Sequence, residues 1–189
     1  MQVAGFGQAA ACLCRVIGSG DHRGLPFAIV DKRAATIRLF TAEGAFLGAS
    51  PALLCQSPGD AIADGVGERT QKQSLRPEDL TTPAGRFASD PGHHSRGEAI
   101  VWIDCGSALA IHRLRPCASK QQRAERLAST DAQRRRASAG CVVVPEAVYD
   151  AVVAPLLGRT RGRVYVMPEY GTAPFRQLTV LEAASALAE

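Results

Sequence analysis

The sequence of 189 residues has no long apolar run and few aromatic side chains. No stretch approaches the roughly 18–20 consecutive apolar residues that a membrane-spanning helix needs, so no membrane span is expected. Aromatic residues make up only 5% of the chain, which leaves little for stacking on nucleic-acid bases. These two absences argue against a transmembrane protein and against a base-stacking nucleic-acid binder.

Cysteine pairs of the CxxC type are also missing, although the chain contains six cysteines. Zinc ribbons and thioredoxin-type redox sites both use that spacing, and the histidines have no acidic partner at ligand-like spacing. We therefore expect no metal site and no cofactor. The even number of cysteines permits disulfides, but a chain of this length builds its core without them.

The net charge is mildly positive at +4, and 19 of the 22 basic residues are Arg. Arg binds carboxylates and phosphates in a two-pronged way, so an anionic partner is conceivable. The one basic triplet, Arg134 to Arg136, is predicted to be a solvated loop, because nucleic-acid footprints are usually broader. We expect no nucleic-acid partner, and the alternative is a nucleic-acid-associated protein that uses this Arg-rich segment.

The composition, 46% hydrophobic and 21% charged, indicates one globular domain. We expect a poorly ordered N-terminal segment over residues 1–24, the domain over 25–169 and a tail over 170–189. The N-terminal segment has a weak apolar stretch. It predicts no signal peptide, because no basic residue precedes the stretch and no convincing cleavage site follows it. A monomer is expected.

Hydrophobic periodicity predicts a mainly β (α+β) domain. Apolar or alternating stretches predict strands over residues 27–31, 36–40, 45–54, 99–103, 108–112 and 160–167. Long polar segments at 56–80 and 115–137 predict loops, the second with a short helix at 121–128. Pro145 suits the first turn of a helix, which follows Cys141 in the chain.

Cys141 is the strongest candidate nucleophile, since it follows Gly140 and precedes the predicted helix. A helix N-terminus and a His partner lower the pKa of a thiol. Gly140, which has no Cβ, would let the N–H groups of Gly140 and Cys141 face a developing oxyanion. Ser138 either supports that oxyanion or only caps the turn.

His112 is the candidate base for this thiol, because it ends an apolar strand that would hold its ring firmly. The other three histidines lie in polar stretches. An imidazole that accepts the thiol proton would activate Cys141. On spacing alone, a structural His and a structural Cys remain alternatives.

The order of these residues resembles the L,D-transpeptidase catalytic domain of bacterial cell-wall enzymes. The resemblance spans about residues 25–169 and rests on Phe27-Ala-Ile-Val-Asp31, Thr82-Pro-Ala-Gly-Arg-Phe87, Ile111-His112 and Ser138-Ala-Gly-Cys141. It implies an L,D-transpeptidase-like β-sandwich or barrel with a helix after the catalytic Cys. It also implies that Cys141 is the nucleophile, His112 its base and the backbone carbonyl of Arg113 the group that orients the imidazole.

Two positions depart from the family pattern. Ala139 stands where the family has a second His, and Val143 stands where Asn or Arg is common. The resemblance implies acyl transfer from peptidoglycan stem peptides through a Cys141 thioester, in the periplasm or cell envelope. An amine acceptor would form a cross-link, and water would trim the stem. The alternative is a catalytically weakened cell-wall-binding module of the same fold, and the segments 56–80 and 115–137 are either a lid or plain connectors.

Overall fold

The computed structural model describes residues 4–115 and 119–170, and a curved sheet of eight strands dominates it. The strands are β1 Phe27–Asp31, β2 Thr36–Phe40, β3 Phe46–Pro51, β4 Leu54–Cys55, β5 Gly85–His93, β6 Ala99–Asp104, β7 Leu109–Arg113, β8 Arg136–Ser138, β9 Val142–Val144 and β10 Gly162–Val166. The large sheet has the order β3-β2-β1-β10-β5-β6-β7-β9, and β4 pairs with β8 in a small parallel sheet.

Helical elements cover this sheet and connect its strands. They are α1 Ala4–Ser19, α2 Val66–Gln71, a 3-10 turn Pro77–Asp79, α3 Lys120–Ala128, α4 Glu146–Val148, a π-helical turn Tyr149–Val153 and α5 Ala154–Leu157. Within the described residues, no helix combines the length and the apolar character needed to cross a membrane.

The long strand β5 joins the two halves of the sheet. Its first part, Gly85–Ser89, pairs with β10, and its second part, Asp90–His93, pairs with β6. Because side chains alternate along a strand, one face of the sheet forms a single apolar core. Strands β1, β7, β9 and β10 contribute Val30, Ile111, Val142 and Val164 to this core. The structure confirms the mainly β fold class, as a nearly closed, barrel-like sheet with a few helices.

The N-terminal segment differs from the sequence expectation, since α1 is a helix of 16 residues rather than poorly ordered chain. Ala9, Cys12 and Val16 lie one helical turn apart and are buried against Phe27 and Tyr165. This contact explains why all five residues of β1 are buried, because the core covers one face and α1 the other. The predicted tail over residues 170–189 lies outside the described residues, except for residue 170.

The chain after Cys141 contains a strand that the sequence analysis did not predict. Cys141 is followed directly by strand β9, and the helix predicted from Pro145 begins at Glu146, within one residue of the prediction. Three extended residues move the helix N-terminus roughly 10 Å along the chain. The prediction that a helix N-terminus lowers the pKa of this thiol is therefore wrong, because the apolar run Val142–Val144 completes the sheet beside β7 instead.

Candidate active site

His112 lies on strand β7, and Cys141 directly precedes strand β9, on the same face of the sheet. The strands are parallel, with Ile111 opposite Val142 and His112 opposite Val143. Ile111 and Val142 belong to the inner core, so His112 and Cys141 project from the outer face by strand alternation. Strand spacing and rise put the Cα atoms of His112 and Cys141 roughly 8 Å apart.

The ring of His112 is held by its neighbour along the chain. Its Nδ1 donates a hydrogen bond to the carbonyl oxygen of Arg113 at 2.7 Å, and the residue is 6% exposed. Burial, followed by the positive charge of Arg115, lowers the pKa of His112 to about 4. The imidazole is therefore neutral at pH 7, and with the proton on Nδ1 its Nε2 atom is the free acceptor.

The backbone of Arg113 that accepts this hydrogen bond is itself firmly placed. The next residue, Leu114, donates its N–H to the carbonyl of Val144 at 2.8 Å. The Arg113 guanidinium lies 4.7 Å from the centroid of the Tyr149 ring, and Nη1 is 3.0 Å from Asp150 Oδ1. These contacts fix the Arg113 carbonyl and, through it, the orientation of His112.

Cys141 is half-buried, and its thiol lies above the start of β7. Its Sγ donates to the carbonyl oxygen of Ala108 at 3.5 Å. Burial raises the pKa of the Cys141 thiol, while the backbone of Ala110 and the charges of Arg115 and Arg123 lower it less strongly. The sulfur is therefore a neutral thiol at pH 7. Within residues 4–115 and 119–170, no hydrogen bond joins it to His112.

The loop before Cys141 is closed by Ser138. The hydroxyl of Ser138 donates to the carbonyl of Cys141 at 2.6 Å and accepts the N–H of Gly140 at 3.2 Å. This is the turn-capping geometry that the sequence analysis left open for Ser138. Gly140 has φ +112°, and a Cβ there would meet the carbonyl oxygen of Thr81 at 2.8 Å, so only glycine fits.

Thr82, from the Thr82-Pro-Ala-Gly-Arg-Phe87 motif, ties this loop to the rest of the site. Its fully buried Oγ1 donates to the carbonyl of Gly140 at 2.7 Å and accepts the N–H of Cys55 at 3.2 Å. Its carbonyl accepts a hydrogen bond from the buried Lys32 Nζ at 2.9 Å, and Lys32 also pairs with Asp60. A network of polar groups thus positions the loop that carries Cys141.

A narrow cavity of about 80 Å³ opens beside the thiol. Cys141, Gly140 and Ala108 line one side, and the segment 62–81, which contains α2, lines the other. That segment is braced by Asp79, which accepts from Arg69 Nε at 2.7 Å and from the N–H of Arg76 at 2.8 Å. The hydrogen bond from Arg69 holds the pKa of Asp79 at about 2. The polar segment at 56–80 therefore contains a helix and forms a wall of the site.

The two departures from the family pattern have different surroundings. Ala139 is exposed and lines the cavity beside the thiol. Val143 is fully buried, packs with Leu53, Leu114 and Leu127, and exchanges two backbone hydrogen bonds with Leu53. A polar side chain at position 143 would lie among leucines, so Val suits this packing.

Of the basic triplet, Arg134 is exposed in a turn, as the prediction of a solvated loop expects, whereas Arg135 and Arg136 are not. Arg135 is 6% exposed and donates to the backbone carbonyls of Ala34 and Ala35 at 2.6 and 3.1 Å. Arg136 pairs with Glu169. Arg135 and Arg136 therefore join segments that are distant in the sequence. Arg135 and the carbonyl of Ala35 are 100 residues apart along the chain.

Sequence reasoning missed two cations near the thiol, Arg115 and Arg123. Arg115 Nε donates to Glu98 Oε2 at 2.6 Å. Arg123 lies on α3, one turn before the buried Leu127, which packs in the same apolar cluster as Cys141. The i, i+4 spacing from Arg123 to Leu127 is the sequence signal that both side chains share one face of the predicted helix.

Comparison with known proteins gives structural neighbours only. No family model matches the sequence, and no curated protein matches it. Solved structures that the chain resembles include an L,D-transpeptidase from Xylanimonas cellulosilytica (18% identity, 75% of this chain, 60% of that chain, TM-score 0.46). Another is an L,D-transpeptidase from Mycobacterium smegmatis (15% identity, 75% and 58%, TM-score 0.45).

A third solved structure is the helical cell shape determining protein from Campylobacter jejuni. It is 14% identical over 79% of this chain and 49% of that chain, with a TM-score of 0.50. The chain thus spans about half to three fifths of the length of these solved chains. At these identities the likeness establishes the fold alone, which the chain shares with the Campylobacter protein and which agrees with the L,D-transpeptidase-like architecture that its motifs predict.

Proposed function

We propose that this protein is an L,D-transpeptidase-like cysteine acyltransferase that acts on peptidoglycan stem peptides, with Cys141 as nucleophile and His112 as base. The observation that carries the proposal is the 2.7 Å hydrogen bond from His112 Nδ1 to the Arg113 carbonyl. It leaves Nε2 as a proton acceptor on the sheet face that carries Cys141. The motif order and the shared fold support the same assignment.

The first half of the reaction uses a neutral thiol and a neutral imidazole. As Sγ bonds to the carbonyl carbon of the peptide, the thiol proton passes to His112 Nε2. The tetrahedral intermediate then collapses, the C–N bond breaks, and the imidazolium returns that proton to the leaving amine. A thioester on Cys141 remains. The low pKa of His112 keeps the ring unprotonated before attack and makes the imidazolium a strong acid toward the leaving amine, while it weakens the ring as a base toward the thiol.

The second half resolves the thioester. An amine of a neighbouring stem attacks the thioester carbonyl, loses a proton to His112 and expels the Cys141 thiol, which forms the cross-link. Water in place of the amine would give hydrolysis and a trimmed stem. Such a substrate belongs to the periplasm or cell envelope, where we place this activity.

The loop of Ser138, Gly140 and Cys141 has a supporting role in this mechanism. The oxyanion of the tetrahedral intermediate needs preorganised N–H donors, and the N–H groups of Gly140 and Cys141 are the candidates. Gly140 N–H donates to Ser138 Oγ at 3.2 Å, so an oxyanion would have to replace Ser138 as the acceptor of that donor. Thr82 keeps the loop in place through the Gly140 carbonyl.

Intact-mass spectrometry after exposure to a carbapenem tests the proposal. We expect a single covalent adduct on the wild-type protein, no adduct on C141A and a much slower reaction for H112Q. The matched control is C105A, which removes an exposed cysteine and should leave the adduct unchanged. An adduct that persists in C141A, or one that H112Q forms at the wild-type rate, contradicts the assignment.

A second candidate is a cell-wall-binding module of the same fold with little or no turnover. It is favoured by the 80 Å³ cavity, which is small for a peptide, and by the hydrogen bond of Cys141 Sγ to Ala108 rather than to His112. This candidate predicts that the protein binds purified sacculi but neither forms a carbapenem adduct nor changes the stem peptides. Turnover of stem peptides by the wild-type protein excludes it.

A further inference from the structure

Helix α3 covers the outer face of the strands that carry the candidate catalytic pair. Its buried residue Leu127 packs with Leu53, Leu114 and Val143, and Cys141 packs against the same cluster. Arg123 lies four residues before Leu127, so its side chain leaves the helix on the same side. The polar residues Gln122 and Glu125 line a separate groove on another side of the helix, with Arg126.

Arg123 reaches into the protein without a partner. Its Nε atom is buried and makes no hydrogen bond, and the side chain forms no ion pair within residues 4–115 and 119–170. The packing of α3 over the cluster that Cys141 contacts brings this side of the helix toward the site, and the positive charge of Arg123 lowers the pKa of both His112 and Cys141. The neighbouring Arg115, in contrast, pairs with Glu98 at 2.6 Å. Arg123 as a whole is half-buried, but its buried Nε–H without an acceptor is costly unless a ligand supplies one.

We propose that Arg123 binds a carboxylate of the substrate peptide beside Cys141. A planar guanidinium matches a carboxylate with two parallel N–H···O bonds, and burial strengthens such a contact. The identity of the substrate rests on the proposed function, in which the acyl donor is a peptide whose last residue has a free carboxylate. Arg123 would then select donors by their charge and orient the scissile bond toward Sγ.

Two alkylating reagents of similar size test this role without any cell-wall substrate. Iodoacetate is an anion, iodoacetamide is neutral, and both lose iodide when the Cys141 sulfur attacks. A change in the pKa of the thiol alters both rates by the same factor. The ratio of the two rates therefore reports how strongly the site attracts the anionic reagent relative to the neutral one. We expect R123Q to lower the ratio of the iodoacetate rate to the iodoacetamide rate at Cys141 by roughly threefold to tenfold.

The matched control is R126Q, which removes the same charge from the same helix at the separate groove that Gln122 and Glu125 line. We expect R126Q to keep the wild-type ratio and R123K to give an intermediate one, because Lys keeps the charge but loses the two-pronged geometry. Peptide mapping assigns each rate to Cys141, and circular dichroism checks that the variants are folded. An R123Q ratio within twofold of wild type, or an equal fall in R126Q, overturns the proposal.

The outcome separates this inference from the proposed function. A normal carbapenem adduct with an unchanged reagent ratio in R123Q leaves Cys141 as the nucleophile and removes the role of Arg123. A reduced ratio with no adduct keeps an anion-binding site beside a cysteine that is not an acyltransferase nucleophile. With active enzyme, R123Q should raise KM for donors with a free carboxylate more than for the matching amides.

Discussion

Two cysteines of this protein, Cys12 and Cys141, each contact an apolar cluster that includes a helix, but their other surroundings differ. Cys12 lies on α1 and packs among aromatic and aliphatic side chains that include Phe27, Phe40 and Tyr165. Cys141 lies at the edge of the apolar cluster under α3, but it also borders a cavity. Burial raises the pKa of Cys12 to about 12. Burial also raises the pKa of Cys141, where two arginines oppose the rise.

This comparison shows that burial alone does not separate a structural cysteine from a candidate nucleophile. Both thiols are neutral at pH 7, and both contact apolar groups. The difference lies in the other surroundings of Cys141, namely a neutral imidazole on the same sheet face and an opening beside the residue. Both thiols have cations nearby, Arg15 for Cys12 and Arg115 and Arg123 for Cys141. The four predictions that follow test whether these neighbours, rather than burial, determine the behaviour of Cys141.

The largest expected effect is the contrast in alkylation between the two thiols. A pKa of about 12 lowers the thiolate fraction of Cys12 roughly a thousandfold relative to an unperturbed thiol. In iodoacetamide labelling resolved by peptide mapping, we expect Cys141 to react and Cys12 to stay unmodified until the protein is unfolded. The exposed Cys14 on the same helix is the control and should react readily. Equal rates at Cys12 and Cys141 would remove the contrast.

The next effect tests the loop that presents Cys141. We expect G140A to lower the free energy of unfolding by about 2–4 kcal/mol and to slow alkylation of Cys141, because its Cβ would press on the Thr81 carbonyl at positive φ. Gly97 also has a positive φ, +82°, but open space around it, so G97A should cost only about 1 kcal/mol. Urea unfolding measures both, and equal losses would show that the close contact does not matter.

The third prediction concerns the pH dependence of stability that His112 confers. Its pKa is about 4 in the folded protein and about 6.5 in the unfolded chain, so between these values only the unfolded chain is protonated. Stability should therefore fall as the pH decreases from 6.5 toward 4, by about 2 kcal/mol between pH 7.5 and 5. Urea unfolding of H112Q should lack this part of the dependence.

The control for this pH effect is H93Q, since the ring of His93 is exposed at the end of β5. H93Q should keep the wild-type profile. A wild-type profile that is flat between pH 7.5 and 5, or one that H112Q leaves unchanged, would show that His112 titrates in the folded protein as it does in the unfolded chain.

The smallest effect is expected at Thr82. The T82V substitution keeps the shape of the side chain but leaves the Gly140 carbonyl and the Cys55 N–H without their partner. We expect a loss of about 1–2 kcal/mol in urea unfolding and slower alkylation of Cys141. T160V removes an exposed hydroxyl at 3.4 Å from the Leu156 carbonyl and should change neither. A T82V variant with wild-type alkylation would show that the network does not position Cys141.

Most strands could be predicted from the sequence, because their signal is local. The alternation in Thr36–Phe40 and the apolar runs of Phe27–Asp31 and Leu109–Arg113 match the observed strands. The helix of Lys120–Ala128 was also predicted within one residue. The helix of Ala4–Ser19 was missed, because its small residues form a helix that is stabilised chiefly by packing against β1 and β10.

For the candidate site, too, local features could be predicted from the sequence and long-range contacts could not. The sequence by itself determined the residue types and their order, namely a glycine before Cys141, a strand-borne His112 and the backbone of Arg113 next to it. Only the tertiary structure decided that strand β9 lies between Cys141 and the predicted helix and that Thr82 holds the Gly140 carbonyl. It also decided that α3, which carries Arg123, packs through Leu127 over the cluster that Cys141 contacts. The physical reason is that residue type and spacing act within a few residues, whereas pKa and hydrogen bonding depend on which distant segments pack around a group.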